Sequence, residues 1–188
     1  MRLFIPALFA LAACGGTPEA KPAAGHTPEA KPAAAATAPA AAAGLKVGDP
    51  APEISLTLHD GKTVALSSLK GKPVLVYFYP KDDTPGCTVE AQGLRDGWAD
   101  IQAAGLQVFG VSTQDASSHQ AFIDKYDLPF PLVVDADGGV SKAFGVPVRG
   151  GMAARQSFLI GADGKIKQLW PSVNPQEHAA AVIAAAKS

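Results

Sequence analysis

Cysteine is scarce in this chain: 188 residues hold only two, Cys14 and Cys87. Two cysteines so differently placed do not form a disulfide framework, and no Cys-x-x-Cys or Cys/His metal spacing exists. Clustered positive charge is missing as well. The net charge is −1 and no Lys/Arg run occurs, which excludes a nucleic-acid footprint and a polybasic membrane patch. The apolar stretch from Leu3 to Ala13 is too short to span a bilayer as a helix. Histidine is sparse and scattered. His26, His59, His119 and His178 read as surface or turn residues, and none is assigned a role. Asp135-Ala-Asp-Gly138 opens like a calcium loop but lacks the bidentate acid at the twelfth position, so it reads as a turn.

What is present begins with Arg2 and the Leu3–Ala13 stretch, which match a secretory signal peptide ending in small residues. Leu11-Ala12-Ala13-Cys14-Gly15 resembles a bacterial lipobox. That resemblance implies cleavage before Cys14, lipidation of its sulfur, and a membrane-anchored protein facing the periplasm. Gly16 in place of Asp favours the outer membrane. Several acyl chains make such anchoring stable where one is marginal. Residues 14–44 then form an Ala/Pro-rich tether in which Thr17-Pro-Glu-Ala-Lys-Pro-Ala-Ala24 recurs unchanged as Thr27–Ala34. Spaced prolines prevent a long alanine helix and leave nothing large to bury. As a spacer the tract reaches roughly 30 Å if coiled and about 90 Å if extended.

The folded domain is placed at 45–188. Val47 to Pro52 is an extended lead-in. Ile54–Leu58 and Thr63–Leu66 alternate like a hairpin about His59–Lys62, and Ser67–Lys70 is a short helical turn. Gly105–Ser112 and Phe130–Val134 read as strands. Ala116–Tyr126 is an amphipathic helix with Ala121, Phe122 and Tyr126 inward. Val140–Phe144 is a short helix. Gln156–Ile160 and Lys165–Trp170 form a hairpin about Gly161–Gly164, and a final helix starts at Asn174-Pro175. Trp98 and Trp170 read as packing residues. Strands alternating with helices, followed by a hairpin and a helix, predict an α/β thioredoxin-like fold: a central β-sheet flanked by helices, with an N-terminal β-hairpin added.

The chain is organised around residues 74–95. Val74–Tyr79 is apolar, β-branched and aromatic without alternation, as in a strand covered on both faces. Pro80 ends it and Asp82–Gly86 is a turn. Thr84 followed by Pro85 is a helix start, with a hydroxyl cap and proline at the first helical position. The helix is expected to run to Ala104, weakened by up to ~1 kcal/mol at each of Gly93 and Gly97. Cys87 falls in its first turn, where N–H groups lack intrahelical partners and the dipole favours a thiolate.

Pro80, Thr84 and Cys87 fit the peroxiredoxin signature of proline, three residues, threonine, two residues, cysteine. The flanking Tyr79-Pro-Lys-Asp-Asp-Thr-Pro-Gly-Cys-Thr-Val-Glu-Ala91 and the Arg155–Lys165 segment resemble the bacterioferritin comigratory protein, or Q-type, branch. The resemblance covers 45–188. It implies reduction of hydrogen peroxide and organic hydroperoxides without metal or bound cofactor. By the same resemblance Cys87 is the peroxidatic cysteine, Thr84 its hydroxyl partner and Pro80 a shield over the pocket. Arg155 matches the family's supporting arginine, and Glu90 orients that arginine or the helix start. Backbone N–H groups around Gly86 and Cys87 would meet the peroxide. Q-type relatives are often monomers, and a monomer is expected here.

A free thiol of pKa ~8.5 is only about 3% thiolate at pH 7. Lowering such a pKa to ~6 raises that fraction about 30-fold while nucleophilicity falls roughly 10-fold, so the net gain is a few-fold. The larger effect must come from preorganised donors aimed at the peroxide oxygens. Many Q-type members carry a resolving cysteine five residues after the first, and this chain has Gln92 there. The expectation is therefore a one-cysteine cycle, in which an external small thiol or thioredoxin-like protein resolves the Cys87 sulfenate. The rival enzyme readings are a dithiol oxidoreductase, which lacks its second cysteine because residue 90 is Glu, and a Cys-His hydrolase, which lacks a supported histidine. An inert buried thiol does not fit a capped helix start. The non-enzymatic alternative is a tethered redox sensor or chaperone-like protein that signals through Cys87 oxidation.

Overall fold

Strand β3 (Val74–Phe78) is buried at every position, and its alternating side chains serve two separate cores. Val74, Val76 and Phe78 enter one, while Leu75 and Tyr77, followed by Tyr79, enter the other. A run without polar alternation is what a strand covered on both faces requires. A computed structural model describes residues 44–188 of the chain. The stretch read as a signal peptide, Cys14, the repeated octets and His26 lie outside the described residues.

The main sheet has five strands. Strand β3 pairs in parallel with β4 (Gln107–Ser112), which pairs in parallel with β5 (Leu132–Val134). On its other side β3 runs antiparallel to β8 (Gln156–Ile160), and β8 runs antiparallel to β9 (Ile166–Trp170). The spatial order is β5-β4-β3-β8-β9. Before it, β1 (Ser55–Thr57) and β2 (Thr63–Ala65) form the expected hairpin, followed by a 3-10 turn at Leu66–Leu69. The lead-in is pinned to the β8–β9 turn, where Gly48 N–H donates to Ile166 O and Ala51 N–H to Gly164 O.

One core joins the β1–β2 hairpin to α4 (Gly139–Phe144) through Leu56, Phe78, Phe144 and Phe158. The other gathers α1 (Pro85–Asp96), α2 (Trp98–Ala103), α3 (Ala116–Tyr126) and α5 (His178–Lys187) through Leu94, Ile101, Phe122 and Val182. Trp98 and Trp170 pack against this second core, as expected. Among the described residues no helix is long and apolar enough to cross a membrane.

Several boundaries differ from the sequence reading. The helix carrying Cys87 does not continue to Ala104 but breaks at Gly97 (φ −84°, ψ 10°), separating α1 from α2. A Cβ on Gly97 would stand 2.7 Å from Ile183 Cδ1, so the glycine lets α5 close against the break. Ala121 is exposed rather than inward, because the buried stripe of α3 runs through His119 and Phe122. The last helix begins at His178, after a turn in which His178 N–H donates to Asn174 O. A small hairpin of β6 (Val148–Arg149) and β7 (Met152–Ala153) turns at Gly150 and Gly151, both at positive φ, and leads into Arg155.

Candidate active site

Thr84 occupies the cap position of α1 with extended backbone (φ −94°, ψ 151°), and Pro85 is the first helical residue. The first helical bond is Thr88 N–H to Thr84 O, at 2.8 Å. Gly86 and Cys87 therefore lie in the turn whose N–H groups have no partner four residues back. The Thr84 hydroxyl is not the expected cap. It donates to Lys81 O at 3.0 Å, so its lone pairs rather than its proton remain for a ligand. Pro80 is half-buried just beyond β3, at the start of the same turn.

Cys87 is a buried free thiol. Arg155, between β7 and β8, donates from Nη2 to Cys87 Sγ at 3.1 Å, and its other arm, Nη1, bonds Glu90 Oε2. Burial opposes the arginine's charge, but Glu90 and Cys87 outweigh it and raise its pKa above the usual value. Gly86 makes room for this arrangement: a Cβ there would stand 3.3 Å from Arg155 Nη2. One face of the first turn of α1 thus carries sulfur, guanidinium and carboxylate together.

Glu90 is fully buried, and behind it lies a residue that the sequence reading left without a role. His178, from the start of α5, places Nδ1 2.9 Å from Glu90 Oε1. The contact is short but off-axis, and Glu90 Oε1 and both His178 ring nitrogens have no aligned hydrogen-bond partner. Tyr77 and Trp170 flank the imidazole edge-on at 6.1 and 5.8 Å between ring centroids. Burial first, and then the charge of Glu90, hold the Tyr77 phenol well above its usual pKa, so it stays neutral.

The turn that delivers Thr84 is tied to α3 from two sides. Asp82 accepts from Tyr79 Oη and Ser118 Oγ, both at 2.6 Å, and meets His119 Nδ1 at 2.9 Å. His119 Nε2 faces Val133 O at 3.1 Å. Asp83, left-handed at φ 55°, pairs with Lys125 at 2.7 Å. Reading His119 and His178 as surface or turn residues is thus corrected, since both are buried. Their partners lie far along the chain, and no local signal marks them. His59 does sit at the β1–β2 turn, where its Nδ1 accepts from Leu132 N–H at 3.3 Å. Among the described residues no group of His, Cys, Asp and Glu is arranged to hold a metal.

A buried sulfur at a helix start, with one cationic donor on it and free N–H groups beside it, can hold an anionic nucleophile and stabilise charge leaving from a bound oxygen. The chain as a whole is similar to known proteins. The AhpC/TSA family matches residues 47–169. The peroxiredoxin bcp of Coxiella burnetii is 44% identical over 146 residues, covering 74% of this chain and 97% of that protein. The chloroplastic peroxiredoxin Q of Triticum aestivum is 42% identical over 134 residues, 70% of this chain, which spans 62% of that longer protein. A Xanthomonas campestris bacterioferritin comigratory protein, solved to examine its alkyl peroxide reduction activity, superposes with a TM-score of 0.70 at 33% identity. That match covers 76% of this chain and 98% of the solved one.

Proposed function

The chain belongs to the AhpC/TSA family, as a thiol peroxidase of the peroxiredoxin Q and bacterioferritin comigratory type, and from that premise we propose that it works by a one-cysteine cycle on hydrogen peroxide and organic hydroperoxides. The observation that carries the reading is the Arg155 Nη2 donor 3.1 Å from a buried Cys87 sulfur in the first turn of α1. Cys87 attacks one peroxide oxygen as the thiolate. The S–O bond forms, the O–O bond breaks, and its electron pair leaves with the distal oxygen, which takes a proton to become water or an alcohol. Cys87 is oxidised to the sulfenate and the peroxide is reduced.

Arg155 and the Gly86 and Cys87 N–H groups offset the charge that develops on the two oxygens. The Thr84 hydroxyl, already donating to Lys81 O, accepts from the peroxide O–H. Glu90 holds the arginine, and Pro80 covers the approach. An external thiol, from a small molecule or a thioredoxin-like protein, then attacks the sulfenic sulfur and releases water. A second thiol reduces the resulting mixed disulfide and restores Cys87. Gln92 stands where relatives carry a resolving cysteine, and Cys14 is the one other cysteine of the sequence. Without internal resolution the sulfenate is open to further oxidation when thiol is scarce.

Mass spectrometry after one equivalent of peroxide tests the cycle. The expected products are a Cys87 sulfenic acid and, with a small thiol added, a mixed disulfide at Cys87. A disulfide within one chain would contradict it. The proposal extends to a monomer held by a lipid on Cys14 at the periplasmic side of a bacterial membrane, the outer one favoured. Its support is the Leu11–Gly15 lipobox pattern and the Ala/Pro-rich tether. Fatty-acid labelling lost in Cys14→Ser is the expected result, and label retained in that variant would contradict it.

A further inference from the structure

Glu90 has two carboxylate oxygens in a fully buried site, and Arg155 engages one of them through Nη1. The other, Oε1, lies 2.9 Å from His178 Nδ1 in an off-axis contact, and neither atom has an aligned hydrogen-bond partner. A bare imidazole lone pair at that separation from a carboxylate oxygen would repel it, so Nδ1 carries the proton. A buried carboxylate oxygen left without a donor is costly. The second arm of the same guanidinium, Arg155 Nη2, serves Cys87 Sγ. The two arms of one guanidinium are divided between sulfur and carboxylate, and a donor turned onto Oε1 would favour that division.

We propose that His178 is a positioning residue for the peroxidase reaction. A small turn of the ring would align its Nδ1–H with Glu90 Oε1, 2.9 Å away, and so leave Arg155 Nη2 on the Cys87 sulfur. The residue arrives on α5, and three described elements supply what faces it. Glu90 comes from α1, the neutral Tyr77 phenol ring from β3 and the Trp170 indole from β9. The helices α1 and α5 lie close here, with Ala179 Cβ 3.5 Å from where a Cβ on Gly93 would stand. The inference rests on the peroxidase reading for its kinetic consequence and on geometry alone for the proton position.

The experiment compares full-length wild type, His178→Phe and His178→Asn by stopped-flow reaction with hydrogen peroxide. An Asn side chain can return an N–H donor near the Nδ1 position, while Phe keeps the ring and removes the donor. The expected result is a fall of about 10-fold in the second-order rate for His178→Phe and recovery to within about 3-fold of wild type for His178→Asn. Adding His178→Phe to Glu90→Gln should cost nothing further. An unchanged rate in His178→Phe, equal losses in the two His178 variants, or full additivity with Glu90→Gln would overturn the proposal. Nitrogen-15 spectra of histidine-labelled wild type read the proton directly and need no variant. A protonated Nδ1 is expected, and a bare Nδ1 with the proton on Nε2 would overturn it. Were the peroxidase reading itself to fail, wild type would be inactive while these spectra still showed the proton on Nδ1.

Discussion

Arg155 touches Cys87 with one arm only; the other is committed to Glu90. A forked, planar cation can hold two partners in fixed geometry, which a lysine ammonium cannot reproduce. Replacing Arg155 by Met should therefore lower the second-order rate with hydrogen peroxide by about 10²-fold, and Arg155→Lys should recover only a small part of it. Stopped-flow kinetics check this, and a lysine variant at wild-type rate would contradict it.

Thr84 gives its hydroxyl proton to Lys81 O, so in the proposed reaction it would meet peroxide as an acceptor. Thr84→Val keeps the shape and removes that acceptor. The expected outcome is a loss of about 10²-fold in peroxide rate, with Thr84→Ser staying within about threefold of wild type. The two variants measured side by side separate the hydroxyl from the methyl.

Asp82 links the turn before α1 to α3, and its ionisation ties stability to pH. Burial pushes its pKa up, but hydrogen bonds from His119, Ser118 and Tyr79 outweigh burial and hold it below the usual carboxylate value. A carboxylate with a depressed folded-state pKa contributes stability that is present above its unfolded pKa and lost as pH falls through the folded one. Asp82→Asn should thus lower Tm at pH 7 by about 4–8 °C, for a loss of about 2 kcal/mol. The gap to wild type should narrow as pH drops below the ordinary carboxylate range near ~3.9. Thermal melts across pH 2–7, at about one-unit steps, measure it.

Gly110 in β4 lies under the Tyr77 ring. A Cβ there would stand 2.7 Å from Tyr77 Cζ and Oη and from Leu132 Cδ2. The ring is rigid and buried, and neither it nor the strand can retreat cheaply. Gly110→Ala should destabilise by about 1–3 kcal/mol, lowering Tm by roughly 3–10 °C. The displaced Tyr77 edge would also press on His178, so a fall in peroxide rate should accompany the loss of stability.

The parts of this architecture that could be read from sequence are those whose causes are local. The unalternating Val74–Tyr79 run, the Thr84-Pro85 helix start and the place of Cys87 in the first turn depend on neighbours within a few residues. The break at Gly97 was not legible, because a glycine inside a helical pattern looks like a small penalty until Ile183 of α5 is seen beside it. Arg155 was found through family resemblance and not through any local pattern, since nothing near β8 signals that its guanidinium reaches Cys87. His119 and His178 were misread for the same reason. A lone histidine has no periodic signature, and its burial is decided by Asp82 and Glu90, each on a distant element. Asp82 looked like turn chemistry, which it is, but its three side-chain partners come from the end of β3 and from α3.

The most direct test of the whole account exchanges one atom. Full-length Cys87→Ser, mixed with hydrogen peroxide and excess dithiothreitol, should consume peroxide no faster than the thiol does alone, while wild type turns over repeatedly. Peroxide consumption by the serine variant at the wild-type rate would contradict the assignment of the chemistry to the Cys87 sulfur.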